Sequence, residues 1–185
     1  QVLIIAEIGN NHEGDFDLAL RLIDEAAEAG VQAVKFQTFI PEHYSSQLDT
    51  DRIARLKEFQ LSFEQFSKLA DHAKSIGQIF ISTPFDLESA RFLGSIADGI
   101  KIASGDNTFA PLIRTVSETG KPMIVSTGLA DTQQVQNAAR LIQDVWTTNK
   151  CSAELAILHC VASYPVPPAE ANLSAIPVLR AALNK

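Results

Sequence analysis

Two lysines sit where a lysine is costly. Lys35 stands in Ala-Val-Lys-Phe-Gln and Lys101 in Gly-Ile-Lys-Ile-Ala, each inside a run that reads as a buried strand. An ammonium there must shed its water or reach an anion. A single lysine of this kind has ordinary explanations: it snorkels out at a strand end, or it pairs with a structural carboxylate. Two of them, beside Ser and Thr hydroxyls on neighbouring runs, suit a ligand that carries phosphate and carboxylate. Two carboxylates accompany them. Glu7 closes the first apolar run, and Asp106 follows the run that holds Lys101. Each reads either as a general base or sugar-hydroxyl acceptor, or as a salt-bridge partner that neutralises a lysine. His12 and Glu13 fall in the loop after Glu7, where turn-stabilising hydrogen bonds are the plainer role. His159, in Leu-Ala-Ile-Leu-His-Cys, reads as a hydrogen-bonded core histidine, because no second His, Cys or carboxylate lies beside it at metal-ligand spacing. His43 and His72 read as surface residues.

These residues must be positioned by something, and the chain has a regular beat. Short apolar runs, predicted as strands over 2–8, 33–37, 79–83, 100–104, 123–126 and 155–160, alternate with amphipathic ones. The helices are predicted over 15–29, 62–76, 87–96, 111–119, 132–146 and 171–183, with Gly30 and Gly77 as stops. Six β-then-α units in strict alternation imply a parallel sheet with right-handed crossovers. The strands look apolar on both faces, as a sheet covered by helices requires. An open doubly wound sheet and a (β/α)₈ TIM-type barrel both fit this pattern. Glu7, Gln37, Thr83, Ser104, Ser126 and Tyr164 all fall at or just after the C-terminal ends of different strands. A barrel brings all such ends to one pocket, whereas an open sheet gathers only those near its switch point. No G-x-G-x-x-G turn follows the first strand. The barrel is therefore the expected architecture. A complete barrel needs about 250 residues, so residues 1–185 would supply units one to six, with two more beyond Lys185. The longest irregular stretch, Phe39–Lys57, is the expected lid or substrate-contacting loop.

The bulk properties narrow the function class. A net charge of −7 disfavours nonspecific nucleic-acid or anionic-membrane binding, while leaving room for a local basic pocket. No apolar run is long enough to span a bilayer, and no basic-then-apolar leader opens the chain. Cys151 and Cys160 lack a repeated metal-ligand spacing and read as reduced thiols, which points to the cytoplasm. The chain opens at Gln1 directly on a strand pattern, without an initiator methionine, as an excerpt would.

Six segments carry a resemblance. They are Ala6-Glu7-Ile8-Gly9-Asn10-Asn11-His12-Glu13-Gly14, Val34-Lys35-Phe36-Gln37-Thr38, Ile81-Ser82-Thr83-Pro84-Phe85, Lys101-Ile102-Ala103-Ser104-Gly105-Asp106, Ser126-Thr127-Gly128, and Leu158-His159-Cys160 running on to Tyr164-Pro165. In this order, each at a strand end, they make the chain resemble the N-acetylneuraminate synthase family over nearly its whole length. The resemblance implies a metal-dependent condensation. Phosphoenolpyruvate attacks the aldehyde of an open-chain N-acetylated hexosamine such as N-acetylmannosamine, water adds at the enol-ether carbon, and phosphate leaves. It implies that Lys35, Thr83, Lys101, Ser104 and Ser126 hold phosphoenolpyruvate. Glu7 would lie at the sugar's reacting end, with Gln37 and Tyr164 as sugar-side contacts. A divalent metal (Mn2+ or Mg2+) and a homodimer are expected of the complete enzyme.

The sequence departs from the family's pattern in three places. Asp106 stands where the family usually has Glu, so its reach is one methylene shorter; it keeps its place as a second catalytic carboxylate. Ala162 replaces an amide-bearing contact, which leaves the hexosamine open. The family's two metal-binding histidines belong to the seventh and eighth strands, expected beyond Lys185, as is its antifreeze-like domain. Two other functions remain to be separated from the synthase. One is a Schiff-base aldolase with Lys101 as nucleophile. The other is a non-catalytic barrel remnant that binds a phosphorylated metabolite or a partner.

Overall fold

The computed structural model describes residues 2–183. Contacts divide the chain into two compact units, the first ending at Ile100 and the second beginning at Lys101. The first contains β1 (Ile5–Gly9), α1 (Phe16–Glu28), β2 (Ala33–Thr38), α2 (Pro41–Tyr44), α3 (Thr50–Phe59), α4 (Phe63–Ser75), β3 (Ile79–Pro84) and α5 (Leu87–Ile96). The boundary falls within β4 (Gly99–Ile102). Each pairing here is parallel: Glu7 lies beside Lys35, Lys35 beside Ile81, Gln37 beside Thr83, and Ser82 beside Ile100.

Strand alternation then sorts the side chains. Glu7, Lys35, Gln37, Ile81 and Thr83 share one face of the sheet. Val34, Phe36, Phe80 and Ser82 share the other, and this second face meets the helices. Phe36 stacks on Phe80 at 5.5 Å between ring centroids and meets Phe66 of α4 edge-on at 6.3 Å. Ile23 of α1 and Leu69 of α4 are fully buried. The lysine strand is thus nailed down by its apolar side, which leaves its polar side fixed in direction. The helices begin where their caps dictate. Asp15 accepts the Leu18 N–H, Asp86 accepts the Ser89 N–H, and Ser62 with Gln65 forms a reciprocal capping box.

The second unit continues from β4 through a 3₁₀ turn (Ser104–Asp106), α6 (Ala110–Glu118), β5 (Met123–Ser126), α7 (Thr132–Thr148), β6 (Leu155–Leu158), a 3₁₀ turn (Pro168–Glu170) and α8 (Ala175–Leu183). Its core joins Leu112, Ile113 and Val116 of α6 to Met123 and Val125 of β5 and Ile142 of α7, all buried. Trp146 donates from its indole Nε1 to the Ser117 carbonyl at 3.1 Å, which satisfies the one polar atom of a buried ring. β5 and β6 pair in parallel, with Ser126 beside Leu158.

The strand order is β1-β2-β3-β4-β5-β6, the order of the chain itself. A doubly wound sheet reverses its order at a switch point, and this order has no such reversal. Sheet and alternating helices match the expectation, with differences at particular elements. The stretch Phe39–Lys57 is not irregular: it carries α2 and α3. Pro41 pre-sets the first turn of α2, and Asp49 caps α3 by accepting from the Arg52 N–H. Tyr44 lies 4.5 Å from Phe85 and 5.9 Å from Phe39, with the Arg52 guanidinium 5.2 Å from its ring, and Glu42 pairs with Lys57 at 2.6 Å.

The remaining differences fall toward the end of the chain. The last helix begins at Ala175 rather than Ala171, because Asn172 takes a left-handed conformation (φ 43°) that a helix cannot include. β4 ends at Ile102, so Ser104 belongs to a turn, and β6 ends before His159. β6 is also not covered on both faces: Ala156 and Leu158 are exposed, as alternate residues of a strand at the end of the order can be. Among the described residues no helix is long and apolar enough to cross a membrane.

Candidate functional site

The polar face of the first unit holds a compact cluster. Lys35 is only 6% exposed. Its Nζ lies 2.8 Å from Glu7 Oε2 and donates to Thr83 Oγ1 at 3.2 Å. The Glu7 side chain is 56% exposed, so one end of this ion pair is dry and the other is wet. An ammonium has three donors, and these two contacts use two. The structural-partner reading of Glu7 is therefore met by the geometry, and it leaves Lys35 able to engage an anion as well.

Gly9 lies beside this pair with φ +57°. A Cβ there would fall 3.2 Å from Glu7 Oε1 and 3.7 Å from Gln37 Nε2, so the missing side chain keeps the approach to both groups open. Asn10 fixes Gln37, its Nδ2 donating to Gln37 Oε1 at 2.8 Å. The Gln37 Nε2 donor is thereby turned away from Asn10. His12, 1% exposed, accepts the Gly14 N–H at Nδ1, which places the proton of its neutral ring on Nε2. Burial holds its pKa below the ordinary histidine range, against an opposing pull from Asp15. Asn10 Oδ1 and His12 Nε2 are buried without a hydrogen-bond partner. His12 is no mere turn residue on a surface: its ring lies 6.0 Å from that of Phe36.

The second unit carries the other predicted residues. Lys101 is half-buried on β4, between the buried Ile100 and Ile102. Ser104 and Asp106 lie in the turn that follows, and Ser126, 3% exposed, ends β5. Ser104 Oγ accepts the Gly128 N–H at 3.1 Å. Asn107, 5% exposed, donates from Nδ2 to the carbonyls of Gly128 at 3.0 Å and Ser126 at 3.4 Å. Thr127 Oγ1 donates to the Leu158 carbonyl at 2.8 Å, tying the same loop to β6. Burial pushes the Asp106 carboxyl above the usual carboxylate range. A carboxyl so shifted holds its proton further toward neutrality, which suits a group that must exchange one.

Within the first unit, then, Glu7, Lys35 and Thr83 are in direct contact, and Gln37 lies on the same face. Within the second, Ser104 and Ser126 are linked through Gly128 and Asn107. Tyr164 stands after β6 in the loop with the cis Tyr164–Pro165 bond, its ring 97% exposed. His159 makes the expected hydrogen bond, its Nε2 meeting the Ala171 carbonyl at 2.9 Å, but it is only half-buried and is not a core residue. Cys151 and Cys160 are free thiols. Sequence reasoning missed Gly9, Asn10, Asn107 and Gly128. Each lies inside or beside a motif, but an amide that braces a loop has no spacing that announces it.

The divalent metal implied by the resemblance finds no ligand set here. Among the described residues, no three His, Cys, Asp or Glu side chains gather where they could hold an ion.

Comparison with known proteins adds an independent line. A family profile described as the NeuB family matches residues 22–185. An uncharacterized protein of Methanocaldococcus jannaschii is 40% identical over 182 residues, covering 98% of this chain and 52% of that one. The N,N'-diacetyllegionaminic acid synthase of Campylobacter jejuni is 34% identical over 198 residues, covering 100% of this chain and 58% of that one. Among solved structures, the N-acetylneuraminic acid synthetase of Leptospira borgpetersenii, in complex with citrate, superposes with a TM-score of 0.88 at 34% identity. That match covers 97% of this chain and 61% of the other. The chain thus spans little more than half the length of the curated relatives it matches.

Proposed function

Because the chain belongs to the NeuB family, we propose that its protein is a nonulosonic acid synthase, a C–C bond-forming enzyme that condenses phosphoenolpyruvate with an N-acylated hexosamine. The observation that carries this reading is the Lys35–Glu7–Thr83 cluster: a buried ammonium, held by a half-exposed carboxylate and a hydroxyl, with donor capacity to spare. A small, highly charged anion is the ligand such a group favours.

In this proposal Lys35 and Thr83, with Lys101, Ser104 and Ser126, hold the phosphate and carboxylate of phosphoenolpyruvate. Its C3 attacks the aldehyde carbon of the open-chain sugar, and the aldehyde oxygen takes up a proton. Water then adds at C2, and phosphate leaves. Glu7 sits at the reacting end of the sugar. Its carboxylate accepts or returns the proton there, and its wet end can exchange that proton with solvent. Asp106, whose carboxyl burial already favours the protonated form, is the second proton-transfer group. Gln37 presents Nε2 as a donor to the sugar, because Asn10 occupies its oxygen; Tyr164 is the further sugar-side contact. The divalent metal and a homodimer belong to the same proposal as properties of the whole enzyme. Phosphoenolpyruvate is an intracellular metabolite, so the reaction is placed in the cytoplasm.

The test is phosphate release by the full-length protein, supplied with Mn2+ or Mg2+, phosphoenolpyruvate and one N-acylated hexosamine at a time. Release that requires the sugar and yields a nonulosonic acid by mass spectrometry is the expected result. A pyruvate adduct trapped on Lys101 by borohydride would overturn it in favour of an aldolase, since the condensation forms no imine. Binding of phosphoenolpyruvate without turnover on any hexosamine would favour a non-catalytic metabolite binder.

A further inference from the structure

We infer that Asn107 is a positioning residue that makes Ser104 a hydrogen-bond donor to the bound anion. Nothing in the sequence singled this asparagine out. It follows the turn that carries Ser104 and Asp106, and its side chain is buried at the end of β5.

Its amide is the hub of a small circuit. The two N–H groups of Nδ2 go to two carbonyls of one loop, Ser126 at 3.4 Å and Gly128 at 3.0 Å. The amide orientation is compelled, because Oδ1 in that place would face two carbonyl oxygens. With both carbonyls held, the Gly128 N–H is delivered to Ser104 Oγ at 3.1 Å. That bond uses a lone pair of the hydroxyl and leaves its proton to be given elsewhere. A serine in this state, with one of its two lone pairs taken, has its O–H free to donate to a new partner, which is what a phosphate or carboxylate oxygen requires. The circuit also explains the glycine. A Cβ on residue 128 would fall 2.9 Å from Ser104 Oγ and 3.1 Å from Ser104 Cβ, so any larger residue would displace the hydroxyl. Thr127, anchored on the Leu158 carbonyl through both its N–H and its Oγ1, holds the middle of the loop against β6. Asn107 reaches the residues on both sides of it, Ser126 and Gly128. Because its Nδ2 donors are spent on the loop, it acts through Ser104 and is a positioning residue, not a catalytic one.

The inference rests on the proposal that Ser104 contacts phosphoenolpyruvate, and the experiment separates the two. Calorimetric titration of phosphoenolpyruvate is done on the full-length protein and on its Asn107→Asp, Ser104→Ala and doubly substituted variants. Asn107→Asp is nearly isosteric but turns oxygens toward the two carbonyls. It is expected to weaken binding about fivefold or more, and this loss should shrink to about twofold or less in the Ser104→Ala background, as coupled groups behave. The Michaelis constant for the sugar should stay within about twofold in Asn107→Asp. A smaller loss, or one undiminished when Ser104 is already alanine, overturns the inference. If Asn107→Asp does not fold by circular dichroism, Asn107→Ser, a shorter donor, is read by the same criteria. If the unaltered protein does not bind phosphoenolpyruvate, the proposed function itself fails, and the inference falls with it.

Discussion

Glu7→Gln should make phosphoenolpyruvate bind more tightly while turnover collapses. Glu7 neutralises Lys35 across 2.8 Å. A trianion arriving at Lys35 therefore meets a carboxylate already in place. Two like unit charges about 5 Å apart repel by roughly 3 kcal/mol at an effective dielectric constant of 20. The Glu7 side chain is 56% exposed, so solvent screens most of that, leaving about 1 kcal/mol, or roughly a fivefold gain in affinity when the charge is removed. The amide of glutamine still offers Lys35 an oxygen, so the fold should lose no more than about 1 kcal/mol, the scale of one hydrogen bond. Turnover should drop by about 10²–10⁴-fold, the loss typical of a proton-transfer group. Calorimetric titration with phosphoenolpyruvate, alongside phosphate release at saturating sugar, reads both effects. Affinity that falls in Glu7→Gln would refute the charge argument, since it would make Glu7 a net contributor to anion binding. Turnover at the parent rate would refute its role at the sugar.

Three further outcomes follow from the geometry. Lys101→Met removes a positive charge while keeping much of the side chain's length. It should weaken phosphoenolpyruvate binding about 10- to 150-fold, the value of one charge-assisted hydrogen bond, and leave apparent sugar affinity little changed; steady-state kinetics with each substrate varied in turn will show it. Asp106 has its folded-state carboxyl raised by burial. Its contribution to stability is therefore full below the ordinary carboxylate range and is lost as pH rises through the raised value. Asp106→Asn should then match the parent's Tm in acid and exceed it once pH has risen through the raised value; a difference that does not change with pH would contradict this. Gly77 and Gly14 both take positive φ, near +80°, but a Cβ on Gly77 meets open space while one on Gly14 would fall 2.1 Å from the Glu58 carbonyl oxygen. Gly77→Ala should cost about 1–2 kcal/mol, the left-handed penalty alone, and Gly14→Ala distinctly more in the same chemical denaturation series.

What the sequence determined by itself was the order of elements and the identity of the chemically costly residues. The cap at Ser62, the stops at Gly30 and Gly77, and the apolar strand cores are local signals, legible because the forces that set them act within a few residues. Lys35 and Lys101 stood out for the same reason: a charge inside an apolar run contradicts its own surroundings. The α2–α3 segment was read as irregular because its helices are held by contacts made across the chain. Tyr44 packs on Phe85 and Glu42 pairs with Lys57, and neither contact leaves a mark in the local pattern. The same is true of the site's finer parts. Parallel pairing set Glu7 beside Lys35, and Gln37 beside Thr83, from segments tens of residues apart. Only tertiary packing could choose Glu7 as the carboxylate that meets the lysine. Only tertiary packing, too, could give Asn107 two carbonyls to hold. A hydrogen-bond partner is a fact of three-dimensional proximity, and proximity between distant residues is settled by how the hydrophobic faces close.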